Sequence, residues 1–272
     1  MNEPTLRRSL ASLPVHNLRF FEQIDSTNAE ALRWLEGGAP DGAVVVADAQ
    51  TAGRGRLDRR WVTRAGSALA FSVIFHPRPS ELDRPGLFSP LGALAVAQAL
   101  EVGYGLQPQV KWPNDVLLDD RKVCGVLAET AWMGQRLLGV VVGIGINVQR
   151  GAVPAPEELL FPAVSVEEAL GASVAREDLL RSSLAFLFAW RERLSSPHFL
   201  QAWEGRLAYR GQQAQVESAG TEPLSGILLG ITPEGDLRLS LPSGKEVRIH
   251  AGDVRLRPAE TKSVNHLGET SC

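Results

Sequence analysis

One pentapeptide, Lys111-Trp112-Pro113-Asn114-Asp115, sets a cation and several polar groups in a short turn between apolar runs, with Lys122 and Gly125 close behind. Proline fixes its own φ at about −65° and steers the residue before it away from helix. Lys111 is therefore expected to end an extended 109–110 segment with its ammonium held in a narrow range of positions. Such a turn suits an anionic reaction centre. Taken alone, it reads equally well as a surface strand end whose lysine is only a charge in water.

A second cationic segment runs Gln50-Thr51-Ala52-Gly53-Arg54-Gly55-Arg56-Leu57-Asp58-Arg59-Arg60-Trp61. Its glycines permit close backbone approach, so consecutive N–H groups could line a concave nest for an anion. Its arginines add planar, permanently charged donors that grip carboxylate or phosphate bidentately. It is neither a P-loop, since Gly-Lys-Ser/Thr is missing, nor a dinucleotide fingerprint, since the third glycine and the following helix are missing. The competing reading is a flexible basic surface loop. A third segment, 140–148, is an apolar strand in which Gly143 and Gly145 remove side chains from one face and Asn147 ends the run. There a ligand or another backbone could come close, although glycines in a strand also mark bulges.

These groups need a scaffold, and the pattern supplies one. Ser26, Thr27 and Asn28 stand at the mouth of a helix over 29–35 that stops at Gly37-Gly38. Apolar runs at 44–47 and 68–75 read as strands, with the Gly-Arg loop between them. An alanine- and leucine-rich helix over 89–102 leads into the strand end at Lys111. Segments 123–130 and 137–148 read as paired strands around a turn at Met133-Gly134. A proline-rich loop fills 149–162, and helices follow at 166–170 and 176–194, the second with Glu177 and Asp178 at its positive end. Beyond Tyr209 the texture changes to short strands at 213–217, 224–231, 237–241 and 246–249, a small β-barrel-like module. Residues 259–272 read as a disordered tail.

With 272 residues and 44% hydrophobic content, the chain is long enough for one large domain and a small one. A net charge of −3 argues against a surface that grips nucleic acid as a whole. Two cysteines, Cys124 and Cys272, make neither a disulfide framework nor a metal quartet, so a reducing compartment, the cytoplasm, is expected. No stretch approaches about 18 uninterrupted apolar residues, and neither secretion nor membrane insertion is implied.

The order Gln50-x-x-Gly-Arg-Gly-Arg, Lys111-Trp-Pro-Asn-Asp, Lys122-x-x-Gly-x-Leu-x-Glu129, Gly143-x-Gly-Ile-Asn147 resembles the biotin protein ligases, the biotin–[acetyl-CoA-carboxylase] ligases, over about 20–257. The resemblance implies an α+β fold: a mixed-sheet catalytic domain of the class II synthetase-like biotin/lipoate ligase type, followed by a small SH3-like β-barrel. It divides the chain into an N-terminal extension (1–19), a biotin- and ATP-binding catalytic domain (20–208), the SH3-like domain (209–258) and the tail (259–272). About 20 residues precede the first strand, too few for the DNA-binding domain of bifunctional members, so a monofunctional ligase is expected and no DNA partner.

The activity implied is formation of biotinyl-5′-AMP from biotin and ATP, then transfer to one lysine of a biotin carboxyl carrier protein of acetyl-CoA carboxylase or a similar enzyme. By the same carry-over, Lys111 and Arg54 are catalytic. Ser26, Thr27, Asn28, Gln50, Gly53, Arg54, Gly55, Arg56, Lys111 and Gly143 bind biotin, and Arg56, Trp61, Asn114 and Asn147 bind the nucleotide. Mg2+ arrives with ATP; no direct metal ligand is expected, and Asp115 is either an indirect metal partner or a turn-stabilising residue. Leu57-Asp58 departs from the commoner Arg-Arg-Gly-Arg continuation, which weakens the case for Arg59 as a phosphate ligand. No histidine sits in a matched motif, so no dedicated general base is expected for the acceptor lysine. A homodimer joined through the central sheet is a further implication. The rivals are a lipoate or octanoate transferase of related fold, disfavoured by the Gly-Arg-Gly-Arg loop, and a catalytically dead biotin or nucleotide sensor, disfavoured by Lys111, Arg54 and Arg56.

Overall fold

The computed structural model describes residues 1–57, 59–62, 64–194, 196–218, 222–250 and 254–258, the last five and Ser218 by backbone alone. Asp58, Cys272 and the tail expected at 259–272 lie outside the described residues.

In chain order the elements are α1 (Glu3–Leu10), β1 (Leu18–Ile24), α2 (Thr27–Glu36), β2 (Val44–Gln50), β3 (Ala68–Phe75), α3 (Phe88–Tyr104), β4 (Gln109–Lys111), β5 (Asp115–Leu118), β6 (Arg121–Met133) and β7 (Arg136–Asn147). Then come α4 (Val166–Leu170), α5 (Arg176–Arg191), α6 (Pro197–Glu204), β8 (Gln213–Ser218), β9 (Leu224–Ile231), β10 (Leu237–Ser240), β11 (Glu246–Ile249) and β12 (Val254–Pro258). Seven strands form one mixed sheet in the order β1-β2-β3-β7-β6-β5-β4, parallel only at β1-β2, where α2 makes the crossover. Five strands form a second, antiparallel sheet in the order β11-β10-β9-β8-β12.

The period-2 alternation of β7 decides what each sheet face meets. Its even positions Val142 and Ile144, with Val126 of β6, pack on α3, where a Cβ at Gly92 would stand 2.8 Å from Val126 Cγ1. Its odd positions face α2, whose Ala31 and Leu35 are buried with Val45, Ile74 and Val141. Helix α2 starts where Ser26 caps it, its side chain accepting from the Ala29 N–H. Helix α3 ends on Gly105 at φ 66°, a left-handed C-cap that suits glycine.

Two helices escape the sequence reading. The 1–19 segment is not merely an extension: α1, capped by the Asn2 side chain, buries Leu6 and Leu10 in the main core. Helix α6, capped by Ser196 with Pro197 in its first turn, buries Phe199 and Trp203. The main core also runs on without a break into Leu228, Leu237 and Leu239 of the second sheet. The small module therefore packs on the catalytic domain, β9 against α6, and the linker binds the large sheet's outer strand: Val110 donates to Arg206 O at 2.7 Å, and Ala208 donates back to Val110 O at 3.0 Å.

Candidate active site

A cleft of about 420 Å³ opens on the α2 face of the large sheet. Ser26, Thr27, Asn28 and Gln50 line it beside Gly143, Gly145 and Asn147. Lys111, Trp112, Asn114 and Asp115 also line it, as do Arg54, Gly55, Arg56 and Trp61 of the Gly-Arg loop. Of the residues expected at the site, Gly53 alone is not part of the lining; a Cβ there would stand 2.4 Å from Trp61 O. Its absent side chain lets the two arms of the loop meet, and the Trp61 N–H donates to Gly53 O at 2.9 Å.

The motif glycines have one geometric meaning. Gly125 and Gly145 sit directly opposite in the β6–β7 pairing, and Leu127 sits opposite Gly143. The slot left by the first pair holds the Trp61 indole, 2.4 Å from where a Cβ on Gly145 would be. At Gly143 the same space holds the Asn28 amide, whose Oδ1 would be 1.9 Å from an added Cβ. The open face read from the sequence is thus filled by two side chains of the chain itself, both on the cleft wall.

The floor is a hydrogen-bonded chain. Gln50 Oε1 accepts from the Thr27 N–H at 2.8 Å, and Ser72 Oγ lies 2.8 Å from Thr27 Oγ1 and 2.6 Å from Asn28 Oδ1. Asn28 Nδ2 donates to Leu127 O at 3.1 Å and to Glu129 Oε2 at 2.7 Å. Arg54 Nη2 donates to the same Glu129 oxygen at 2.9 Å. Sequence reasoning missed Ser72 and the role of Glu129; a serine inside an otherwise apolar strand is the only local sign of the first.

Each residue of the Lys111–Asp115 turn has a separate contact. Lys111, 9% exposed, holds its ammonium 3.8 Å from the Phe161 ring centroid. Next to a cis Trp112–Pro113 peptide, the buried Trp112 indole donates to Gly235 O of the β9–β10 turn at 2.9 Å. Asn114 donates to Val126 O at 2.7 Å and accepts from Arg56 Nη1 at 3.2 Å, so it ties the loop to β6. Asp115 pairs with Lys122 at 2.6 Å. Asn147 reaches two carbonyls, Val164 O and Lys122 O, only at 3.4 and 3.5 Å, long enough for its amide to be weakly committed. Phe161 also escapes the sequence reading; its one signal is an apolar Leu160-Phe161 pair inside the proline-rich 149–162 loop, whose end is pinned when the Lys122 N–H donates to Pro162 O at 2.7 Å. Cys124 is buried, and desolvation pushes its thiol far above the usual range, which leaves it inert.

The loop corrects one expectation. Its backbone is not an open nest but a tight hairpin: Arg54 bridges Arg60, and Gly55 N–H donates to Arg59 O at 2.7 Å. Leu57 turns it at φ 59°, left-handed backbone that costs a leucine some strain. The Gly55, Arg59 and Trp61 N–H groups are thus spent inside the hairpin.

This mixed sheet with its strand-end cleft defines a ligase of the biotin and lipoate class, and the model of the Biotin/lipoate A/B protein ligase family matches residues 20–147. That of the Biotin protein ligase C terminal domain, the SH3-like module, matches residues 210–257. The biotin–[acetyl-CoA-carboxylase] ligase of Paracoccus denitrificans is 39% identical over 85% of this chain and 96% of its own. The ligase of the same name from Mycobacterium tuberculosis is 33% identical over 93% and 95%. Among solved structures, a biotin protein ligase from Aquifex aeolicus in complex with biotin and ATP matches with a TM-score of 0.76 and 30% identity, over 90% of this chain and 100% of that one. The chain belongs to the biotin protein ligase family, and its activity is that of a biotin protein ligase.

Proposed function

We propose that the cleft binds biotin on the Ser26–Asn28 and Gln50 floor and ATP beside Asn147 and Trp61, and that Lys111, Arg54 and Arg56 carry the first chemical step. A biotin carboxylate oxygen attacks the α-phosphorus, the bond to pyrophosphate breaks, and biotinyl-5′-AMP forms. Two anions must meet, so cations that neutralise both and hold them in line supply most of the acceleration. The observation behind this reading is that Lys111, Arg54 and Arg56, far apart in sequence, line one cleft with the floor network. Lys111 acts as a fixed charge with no covalent adduct, its ammonium over the Phe161 ring.

In the second step the ε-amine of a lysine on a biotin carboxyl carrier domain attacks the mixed anhydride carbonyl and AMP leaves. Its proton passes to water or to Asp115. Mg2+ would enter with ATP, and Asp115, which pairs with Lys122, would be an indirect partner or would only stabilise the turn. The same proposal places the enzyme in the cytoplasm and allows a homodimer along the large sheet, whose β1 is an edge strand.

A pyrophosphate-release assay with biotin and ATP tests the reading. The wild type should release pyrophosphate only when biotin is present, and biotin-independent or absent release would overturn it. Lys111→Ala should slow release by about 10²–10³-fold while biotin affinity changes only a few-fold; equal losses in both would contradict the electrostatic role.

A further inference from the structure

Glu129 closes the Lys-x-x-Gly-x-Leu-x-Glu motif, and neither step of the proposed reaction uses it. It shares the odd face of β6 with Gly125 and Leu127, so the strand period points it at the cleft side of the sheet. One of its oxygens, Oε2, takes two hydrogen bonds from separate parts of the site: Asn28 Nδ2 at 2.7 Å and Arg54 Nη2 at 2.9 Å. An Arg–Glu pair exposed as this one is, 43% and 24%, contributes little to stability by itself. What sets it apart is the shared oxygen, because Asn28 is 4% exposed and sits in the slot of Gly143.

The network also fixes the Asn28 amide and the Ser72 proton. Asn28 faces a carbonyl and a carboxylate on one side, so its Nδ2 must lie there and its Oδ1 must face Ser72. An amide oxygen only accepts, so the single Ser72 hydroxyl proton goes to Asn28. The single Thr27 hydroxyl proton then lies between two acceptors, Ser72 Oγ at 2.8 Å and Gln50 Oε1 at 3.1 Å. Without an acceptor at 129, the Leu127 carbonyl at 3.1 Å alone would keep Nδ2 on that side, so the amide would be held by one bond in place of two.

We propose that Glu129 is a positioning residue of this site: by one carboxylate oxygen it anchors the Asn28 amide together with the Leu127 carbonyl and holds Arg54 of the Gly-Arg loop against the biotin floor. The inference rests on the ligase reading for its kinetic consequence, but not for its geometry. Two substitutions separate the two roles. Glu129→Gln keeps an acceptor for Asn28 and removes the charge that holds Arg54; Glu129→Ala removes both.

The kinetics of pyrophosphate release and the rate of tryptic cleavage after Arg54 in the ligand-free protein test this. Glu129→Gln should lower kcat about tenfold with the KM for biotin within about threefold, and cleavage after Arg54 should be faster than in wild type. Glu129→Ala should in addition raise the KM for biotin about tenfold. A merely structural residue would lower the folded fraction in both variants without splitting KM from kcat. Wild-type kinetics and wild-type cleavage in Glu129→Gln would overturn the inference. Should Glu129→Ala fail to fold, Glu129→Gln decides alone. Should the wild type prove inactive with biotin and ATP, the ligase reading fails, and the cleavage rate in Glu129→Gln still decides whether Glu129 holds the loop.

Discussion

Replacing Gly143 by alanine should cost both stability and biotin affinity, for a reason the distances make quantitative. The added Cβ would stand 1.9 Å from Asn28 Oδ1, 2.6 Å from its Cγ and 2.8 Å from its Nδ2. Three atoms of one planar group are struck at once, so no rotation of the amide relieves the overlap. Asn28 must leave, and with it go the bonds to Ser72, Leu127 and Glu129. At a net value of about 1 kcal/mol each, the loss is roughly 3 kcal/mol, to which imperfect repacking adds. Urea unfolding should show that loss, and calorimetric titration with biotin alone should show affinity falling at least about tenfold. Gly145→Ala provides the contrast: its Cβ would meet Trp61 at 2.4 Å, but Trp61 is half-buried on a loop that can shift, so stability should change by less than about 1 kcal/mol while ATP-dependent turnover suffers. Adding Asn28→Gly to Gly143→Ala should relieve the overlap, so the two stability losses should fall short of additive. A Gly143→Ala protein with wild-type urea midpoint and wild-type biotin affinity would refute the assignment of that slot to Asn28.

Trp112→Phe keeps an aromatic ring in the core but leaves the Gly235 carbonyl unpaired, so thermal unfolding should show a loss of about 1–3 kcal/mol, and no change in Tm would argue against the link. Glu168 closes the capping box of α4, and the Ser165 backbone N–H, with help from its hydroxyl, holds the Glu168 carboxyl below its usual 4.5. Its folded value is depressed, so its contribution is present above 4.5 and is lost as pH falls through the lower folded value. Glu168→Gln should therefore be less stable than wild type at neutral pH, and the gap should close on acidification; a gap independent of pH would contradict the capping role. Biotin and ATP together should slow tryptic cleavage after Arg54, Arg56 and Arg60, and cleavage unchanged by the ligands would count against loop closure.

Elements with strong local pattern are legible in the sequence by itself. Strand β3 is apolar at nearly every position and is buried throughout, and its bounds agree with the 68–75 run. Helix α2 carries both its cap and its glycine stop in its own residues. What local pattern cannot supply is partnership at long range. Trp112 finds Gly235 across a separation of 123 residues, and Asn28 finds Glu129 across 101; neither periodicity nor turn chemistry encodes such a pairing. Helix α1 escapes because eight residues with two apolar anchors are too short for a periodic signal, and its stability comes from where Leu6 and Leu10 pack. The nest expected of the Gly-Arg loop fails for a related reason. Glycine allows both an open cradle and a closed hairpin, and the pairing of Gly53 with Trp61 and Gly55 with Arg59 selects the hairpin.

Strand β7 explains why the site assembles where it does. Read along its odd positions, Gly139 lies under Leu35 from the last turn of α2, with its missing Cβ 2.8 Å from that side chain. Val141 is core, Gly143 receives Asn28 from the first turn of the same helix, Gly145 receives Trp61 from the Gly-Arg loop, and Asn147 ends the strip. Two of these glycines fix the height of α2 above the sheet at both of its ends, and the third fixes the loop. The same strip therefore sets the distance between the Ser26–Asn28 floor, which α2 carries, and the cationic loop beside it. Had the glycines served only to admit a ligand, side chains from two different segments would have no reason to fill their slots. Their occupation implies that a methyl group at Gly143 or Gly145 acts first on the chain's own register, and reaches substrate through Asn28 or Trp61.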